Sequence, residues 1–280
     1  MRKFACIYFN ENNIIVSKDR LFKGLYPKIT IDSIWYGAVE SFKVIVECSY
    51  QQFTPKNWNH LENQLLERDV EYAYIQGIDK ASHPFEEICT MGGQELLPLT
   101  SYYILKYIAK YKLIPENMLN AKIGIIAGDM GETLDVIRSV MDDITDLTLF
   151  AEQPLTYKEV VLALHQKKRL KVRVVKPNEA LLNKMNIIFD LKLKGVYAKW
   201  CSPKAIYIDY KNKVERHMDQ LRGTLPSIWY DFDIVWEGQL TELAILHMIL
   251  KVQGFADRTL KREFKNLNIG IIGVHTRRIS

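Results

Sequence analysis

Apolar residues follow two rhythms along this chain. From the start to about residue 120 they come in short runs at 4–9, 14–17, 29–36, 42–48 and 71–75. These runs are rich in Ile, Val, Tyr and Phe and are bounded by Gly, Pro and Asn, so each predicts a strand. Trp58, Leu61, Leu65 and Leu66 recur at three- and four-residue steps and predict a helix over 57–68. After Pro98, Tyr103, Ile104, Tyr107, Ile108 and Tyr111 line one side of a second helix, which Thr100 or Ser101 can cap and Pro115 ends.

Beyond residue 120 the pattern becomes regular. Strands are predicted at 123–127, 147–151, 171–175, 186–191, 205–210, 233–236 and 268–274, and helices at 132–141, 157–170 and 239–252. The run 123–127 has no polar side chain, as a strand buried on both faces requires. Strands alternating with helices imply βαβ units and a parallel sheet. The expected architecture is α/β. A smaller N-terminal α/β domain spans 1–98, a linking helix and linker span 99–119, and a doubly wound, mostly parallel, Rossmann-like domain spans 120–280.

Composition narrows the function classes. The chain has 280 residues, 48% of them hydrophobic, which excludes disorder as its main state. Its four Cys stand far apart without a CxxC pair, so they read as reduced thiols rather than a disulfide or zinc framework. The net charge of +5 suits an anionic small ligand and does not call for nucleic acid. The densest basic run is Lys167, Lys168, Arg169, Lys171, Arg173 and Lys176. There Lys171 and Arg173 alternate with Val172 and Val174, the pattern of a charged strand guarding a sheet edge. The first apolar run is too short for an export signal or a membrane span, so a cytoplasmic protein with no membrane partner is expected. The six His form no metal-binding pair, and neither a GxSxG elbow nor a GxxxxGK[ST] loop occurs.

The chemistry concentrates at a turn. Lys122-Ile-Gly-Ile-Ile-Ala-Gly-Asp-Met-Gly-Glu-Thr-Leu134 reads as strand, glycine turn and helix, with Ala127, Gly128, Asp129, Met130 and Gly131 in the bend. In a doubly wound sheet such a bend faces nucleotide phosphates at a helix N-terminus. Glu152, ending the next strand, can accept both hydroxyls of an adenosine ribose, which favours NAD over NADP. Asp129, Glu152, Asp190 and Asp209 all fall at strand C-ends, the ligand edge of an open α/β sheet. Asp129 and Glu132 also have the spacing of a capping box. In the first half, Asp79 and Lys80 are the catalytic candidates, since a Lys beside an Asp can serve proton transfer. His83, Gln94, Glu95 and Gln239 are candidates for a substrate cleft.

Residues 120–252 resemble the nucleotide-binding domain of shikimate dehydrogenase-like and acyl-carrier-protein reductase-like oxidoreductases. Ala127-Gly128-Asp129-Met130-Gly131 stands at their glycine turn, 185–190 at their fourth strand and 206–209 at their fifth. Gly238-Gln-Leu-Thr-Glu-Leu-Ala stands where a glycine-led helix returns toward the first domain. The resemblance implies an NAD-dependent oxidoreductase acting on a small molecule in an interdomain cleft. This chain departs from that pattern. Ala127 replaces the first glycine, and Asp129 aligns with the middle one. No Asn-Thr-Asp or Asn-Ala-Thr-Pro motif is present, so no catalytic residue carries over. Two alternatives stay open: an S-adenosylmethionine-dependent methyltransferase, and a non-catalytic scaffold or regulatory descendant that holds a protein partner and no cofactor. A homo-oligomer is compatible with each.

Overall fold

The computed structural model describes residues 2–10, 27–77, 84–115, 117–168, 170–192, 195–211 and 225–277. The first elements are β1 (Lys3–Phe9), β2 (Ile29–Tyr36), β3 (Val39–Val46), α1 (Pro55–Leu66), β4 (Val70–Ile75) and β5 (Cys89–Thr90). Then come α2 (Ser101–Lys110), β6 (Ile123–Ile126), α3 (Met130–Val140), β7 (Asp146–Phe150), α4 (Lys158–Lys168), β8 (Lys171–Val175) and α5 (Glu179–Leu182). The chain finishes with β9 (Ile187–Asp190), β10 (Ile206–Asp209), β11 (Ser227–Trp236), β12 (Gln239–Thr241), α6 (Leu243–Val252), α7 (Asp257–Glu263) and β13 (Ile269–Arg277). Contacts divide it into two compact units, 1–94 with 242–260, and 95–241 with 261–280.

The first unit is built on a five-stranded sheet of order β2-β3-β1-β4-β5. β1 lies at its centre, parallel to both β3 and β4, and β2 folds back antiparallel on β3. Ala5 and Ile7 of β1, with Val44, Val46, Ala73 and Ile75, pack on Trp58, Leu61 and Leu65 of α1. Burying each of those leucines contributes about 1.5–3 kcal/mol. Thr54 starts the helix by accepting the Asn57 amide at 3.3 Å, with Pro55 in its first turn. The buried Glu62 accepts the amides of Glu87 at 2.7 Å and Ile88 at 3.1 Å, tying the segment before β5 to α1. α6 packs against β1 and β4.

Gly93 has φ +73°, and a Cβ there would lie 2.6 Å from the Ala244 amide nitrogen in α6. Left-handed strain and backbone overlap act together at that position. Gly93→Ala is expected to cost about 2–4 kcal/mol. Urea unfolding of the variant beside the parent checks this.

The second unit holds β8-β7-β6-β9-β10-β11 in that order, all parallel. Numbered by their place in the chain, these strands run 3-2-1-4-5-6, the order of a Rossmann-type doubly wound sheet. β12 and β13 add antiparallel to β11. The central β6 and β9 are buried along their whole length. β8 is the outermost strand, with Lys171 and Arg173 exposed and Val172 and Val174 half-buried, as an edge guarded by charge requires.

Several expectations change in detail. The predicted strand 14–17 lies outside the described residues. The helix expected from Gln239 starts at Leu243, because Gln239–Thr241 forms β12. Glu237 and Gly238, at φ 49° and 83°, make the two-residue turn that folds β12 back on β11, so the glycine opens a hairpin and not a helix. β11 extends N-terminally to Ser227, well beyond the predicted 233–236, since β10 and β13 pair along it. Neither Thr100 nor Ser101 caps α2 through its side chain. Their hydroxyls donate to the carbonyls of Leu97 (2.6 Å) and Pro98 (2.7 Å) in the 3-10 turn that leads into the helix.

Candidate functional site

In a doubly wound sheet the ligand crevice lies where strand order reverses, outside the C-ends of the two central strands. In the second unit these are β6 and β9. β6 ends at Ile126, and Ala127 continues to pair by donating its amide to Phe150 at 2.9 Å. A Cβ on Gly128 would run into the carbonyl oxygen of Leu191, just after β9. The glycine is therefore required by the close approach of two turns of the same chain.

Asp129 is the N-cap of α3. Its Oδ1 accepts the amides of Gly131 at 2.7 Å and Glu132 at 3.4 Å, and its carbonyl accepts the Thr133 amide and hydroxyl at 2.9 and 2.7 Å. The amides that a bound diphosphate would use are thus satisfied by the chain's own carboxylate. The capping box is only half made. Glu132 does not complete it but accepts Lys211 Nζ at 2.6 Å, because a cation from beyond β10 lies within reach. Met130 is half-buried, and Gly131 is exposed.

Glu152 follows β7, and its Oε1 accepts both Lys192 Nζ and the Tyr197 hydroxyl at 2.7 Å. Those two bonds, Lys192 first, hold its carboxyl below the usual carboxylate range. It therefore remains an ionised, exposed carboxylate.

Asp190 and Asp209 end the paired strands β9 and β10 and stand directly opposite one another, both fully buried. Asp190 accepts the Tyr207 hydroxyl and the Lys192 amide, the latter at 2.8 Å. Burial drives its pKa up to about 7, reinforced by Asp209 and opposed by the two hydrogen bonds.

Asp79, Lys80 and His83 lie outside the described residues. Gln94 and Glu95 are exposed, one on each side of the division between the units, and Gln239 is exposed on β12. Among the described residues, no group of three or more His, Cys, Asp or Glu is placed to hold a metal ion. No described helix is long and apolar enough to cross a membrane.

Lys192, Tyr197, Tyr207 and Lys211 were not predicted. Strand alternation carries one legible signal, since Tyr207 shares a face with Asp209 and so with the neighbouring Asp190. The lysines contribute from loops, where no periodicity marks them.

Glu152 suits the ribose end of a nicotinamide dinucleotide. The bend does not suit its diphosphate while Asp129 holds the amides.

No protein-family model matches the chain, and no curated protein matches it. Solved structures do match. The A chain of Bacillus subtilis dipicolinate synthase is 8% identical over 95% of this chain and 96% of its own, with a TM-score of 0.46. Shikimate 5-dehydrogenase from Listeria monocytogenes, in complex with shikimate and NAD, is 10% identical over 81% of this chain and 86% of its own, with a TM-score of 0.37. Thermococcus litoralis Δ1-pyrroline-2-carboxylate reductase, in complex with NADH and L-proline, is 12% identical over 45% of this chain, with a TM-score of 0.32. The chain spans only 42% of that reductase's length. The order and direction of its own strands give the second unit a Rossmann-like fold.

Proposed function

We infer that the second unit binds a nicotinamide dinucleotide, with NAD preferred, and that the chain is an oxidoreductase-like protein acting on a small molecule. One observation carries this reading. The 3-2-1-4-5-6 strand order brings the bend 127–131 and Glu152 to the C-terminal edge of one sheet, beside the reversal point. Glu152 would hold the adenosine ribose, and its charge would repel a 2′-phosphate. Lys80 and Asp79 stay the proposed proton-transfer pair. Calorimetric titration with NAD, NADP and S-adenosylmethionine tests the reading. NAD is expected to bind with a Kd of about 0.1–1 mM, or −4 to −5.5 kcal/mol, and the other two more weakly. Absence of heat from NAD at several millimolar would refute it.

The hydrogen bonds of Asp129 favour a second reading, a non-catalytic descendant that keeps the fold and engages a protein partner. On that reading the helix N-terminus needs no ligand, and neither nucleotide binds.

A further inference from the structure

The first unit has a feature that the dinucleotide reading leaves unused. One face of its sheet packs on α1, and toward β2 and β3 the other face forms a broad depression of about 670 Å³. That volume falls within the range of ligand pockets, about 300–1,000 Å³. Its lining includes Tyr8, Ile34, Trp35, Tyr36, Lys43 and Ile45, from three adjacent strands. Strand register puts most of them on one face. Tyr8 stands beside Ile45, Lys43 is the next β3 residue on that face, and Ile34 stands opposite Ser41 of the same row.

The polar side chains among the described lining residues are few. Among the described lining residues Lys43 supplies the one cationic side chain, and its Nζ lies 5.8 Å from the centre of the Tyr8 ring. Such a contact holds an ammonium above an aromatic face. Burial pushes the phenol of Tyr36 up to about 12, and burial likewise raises that of Tyr8. Both hydroxyls therefore remain donors at any physiological pH. Among the described residues, no acidic side chain lines the depression. The nearby carboxylates are Glu242, whose charge is felt at Tyr8 and Tyr36, and Asp32, opposite Lys43 across the β2–β3 pair. Trp35 is 63% exposed at the rim, an unusual position for the largest apolar side chain.

We propose that this depression binds a small aromatic carboxylate, its anion on Lys43 and its ring against Tyr8, Tyr36, Ile34 and Ile45. The Lys43 ammonium draws the anion against the charges of Asp32 and Glu242, and the aromatic and aliphatic lining selects the ring. The site belongs to the first unit alone and does not depend on dinucleotide binding in the second.

The test is calorimetry on the full chain with 3-phenylpropionate, 3-phenylpropan-1-ol and 3-phenylpropylammonium. A ligand of this size is expected to bind with a Kd of about 0.1–1 mM. The acid should bind at least about tenfold tighter than the alcohol or the ammonium, and Lys43→Met should remove about that tenfold for the acid alone. Lys43 is exposed, so its loss does not threaten folding. Quenching of fluorescence by the acid, abolished in Trp35→Phe, would place the ligand at the rim. The proposal is overturned by absence of saturable binding of the acid, by equal affinity for the three probes, or by undiminished binding to Lys43→Met. NAD titration of the same variant separates the two sites, because it should match the parent.

Discussion

Replacing Asp129 with glycine is expected to tighten NAD binding about ten- to a hundredfold. Two effects of the aspartate disappear together. Its Oδ1 no longer occupies the amides of Gly131 and Glu132. Its charge no longer faces the incoming diphosphate. Two unit charges 4 Å apart repel by about 4 kcal/mol at an effective dielectric of about 20. Asp129 is exposed, so solvent and salt reduce this to about 1.5–3 kcal/mol, which gives the stated range. The cost to the fold is small, because glycine replaces an N-cap side chain at a few tenths of a kcal/mol. Parallel titrations of parent and variant with NAD measure the gain. An affinity in the variant no tighter than the parent's would count against a diphosphate seated on these amides and for the non-catalytic reading. A gain that vanishes at high salt would assign the effect to charge rather than to the freed amides.

Asp190→Asn is expected to stabilise the protein at pH 8 by about 2–4 kcal/mol. The folded chain holds this carboxyl near 7, against an ordinary value of 3.8. Below pH 4 the group is protonated in both states and has no differential effect. Between 4 and 7 the unfolded chain gives up the proton and the folded chain keeps it. Stability therefore falls as pH rises through that window and levels off above it. Three units correspond to about 4 kcal/mol, an upper figure because asparagine must rearrange the hydrogen bond with Tyr207. The test is urea unfolding of parent and variant from pH 4 to 8. The difference between them should grow with pH up to about 7. A difference independent of pH would show that Asp190 ionises in the folded state as easily as in the unfolded chain.

Much of the framework was legible before any coordinates. The continuous apolar run of β6 marked a strand buried on both faces, because a strand with one face in water carries polar side chains on that face. The alternation of Lys171 and Arg173 with valines marked β8 as an edge. The bend after β6 and the carboxylates at strand ends could be located because turn chemistry is local. The hairpin at Glu237 and Gly238 was misread as a helix start, since a glycine before an apolar run serves either purpose and only the pairing partner decides.

What surrounds each candidate residue was not legible. Whether Asp129 faces a ligand or its own helix depends on a rotamer, and the residue types at that bend are compatible with both. Glu152 gained Lys192 and Tyr197 as partners from a segment 40 and 45 residues further along. Asp190 became an acid with a raised pKa because packing of the sheet buries it and β10 places Asp209 opposite, against the opposing hydrogen bond from Tyr207. The depression over Tyr8 and Lys43 draws on three strands, and no single segment of sequence contains it.

Local pattern alone determined most of the strands and helices, that the second half is a doubly wound sheet, and where its crevice edge lies. Those features follow from periodicity and turn chemistry, which act over a few neighbouring residues. Tertiary structure alone decided the charge state and the partners of the acidic groups at that edge, and the shape of the open face in the first unit. Those depend on desolvation and on distances of a few ångströms between side chains far apart in the chain, and such distances exist only once the sheet has closed.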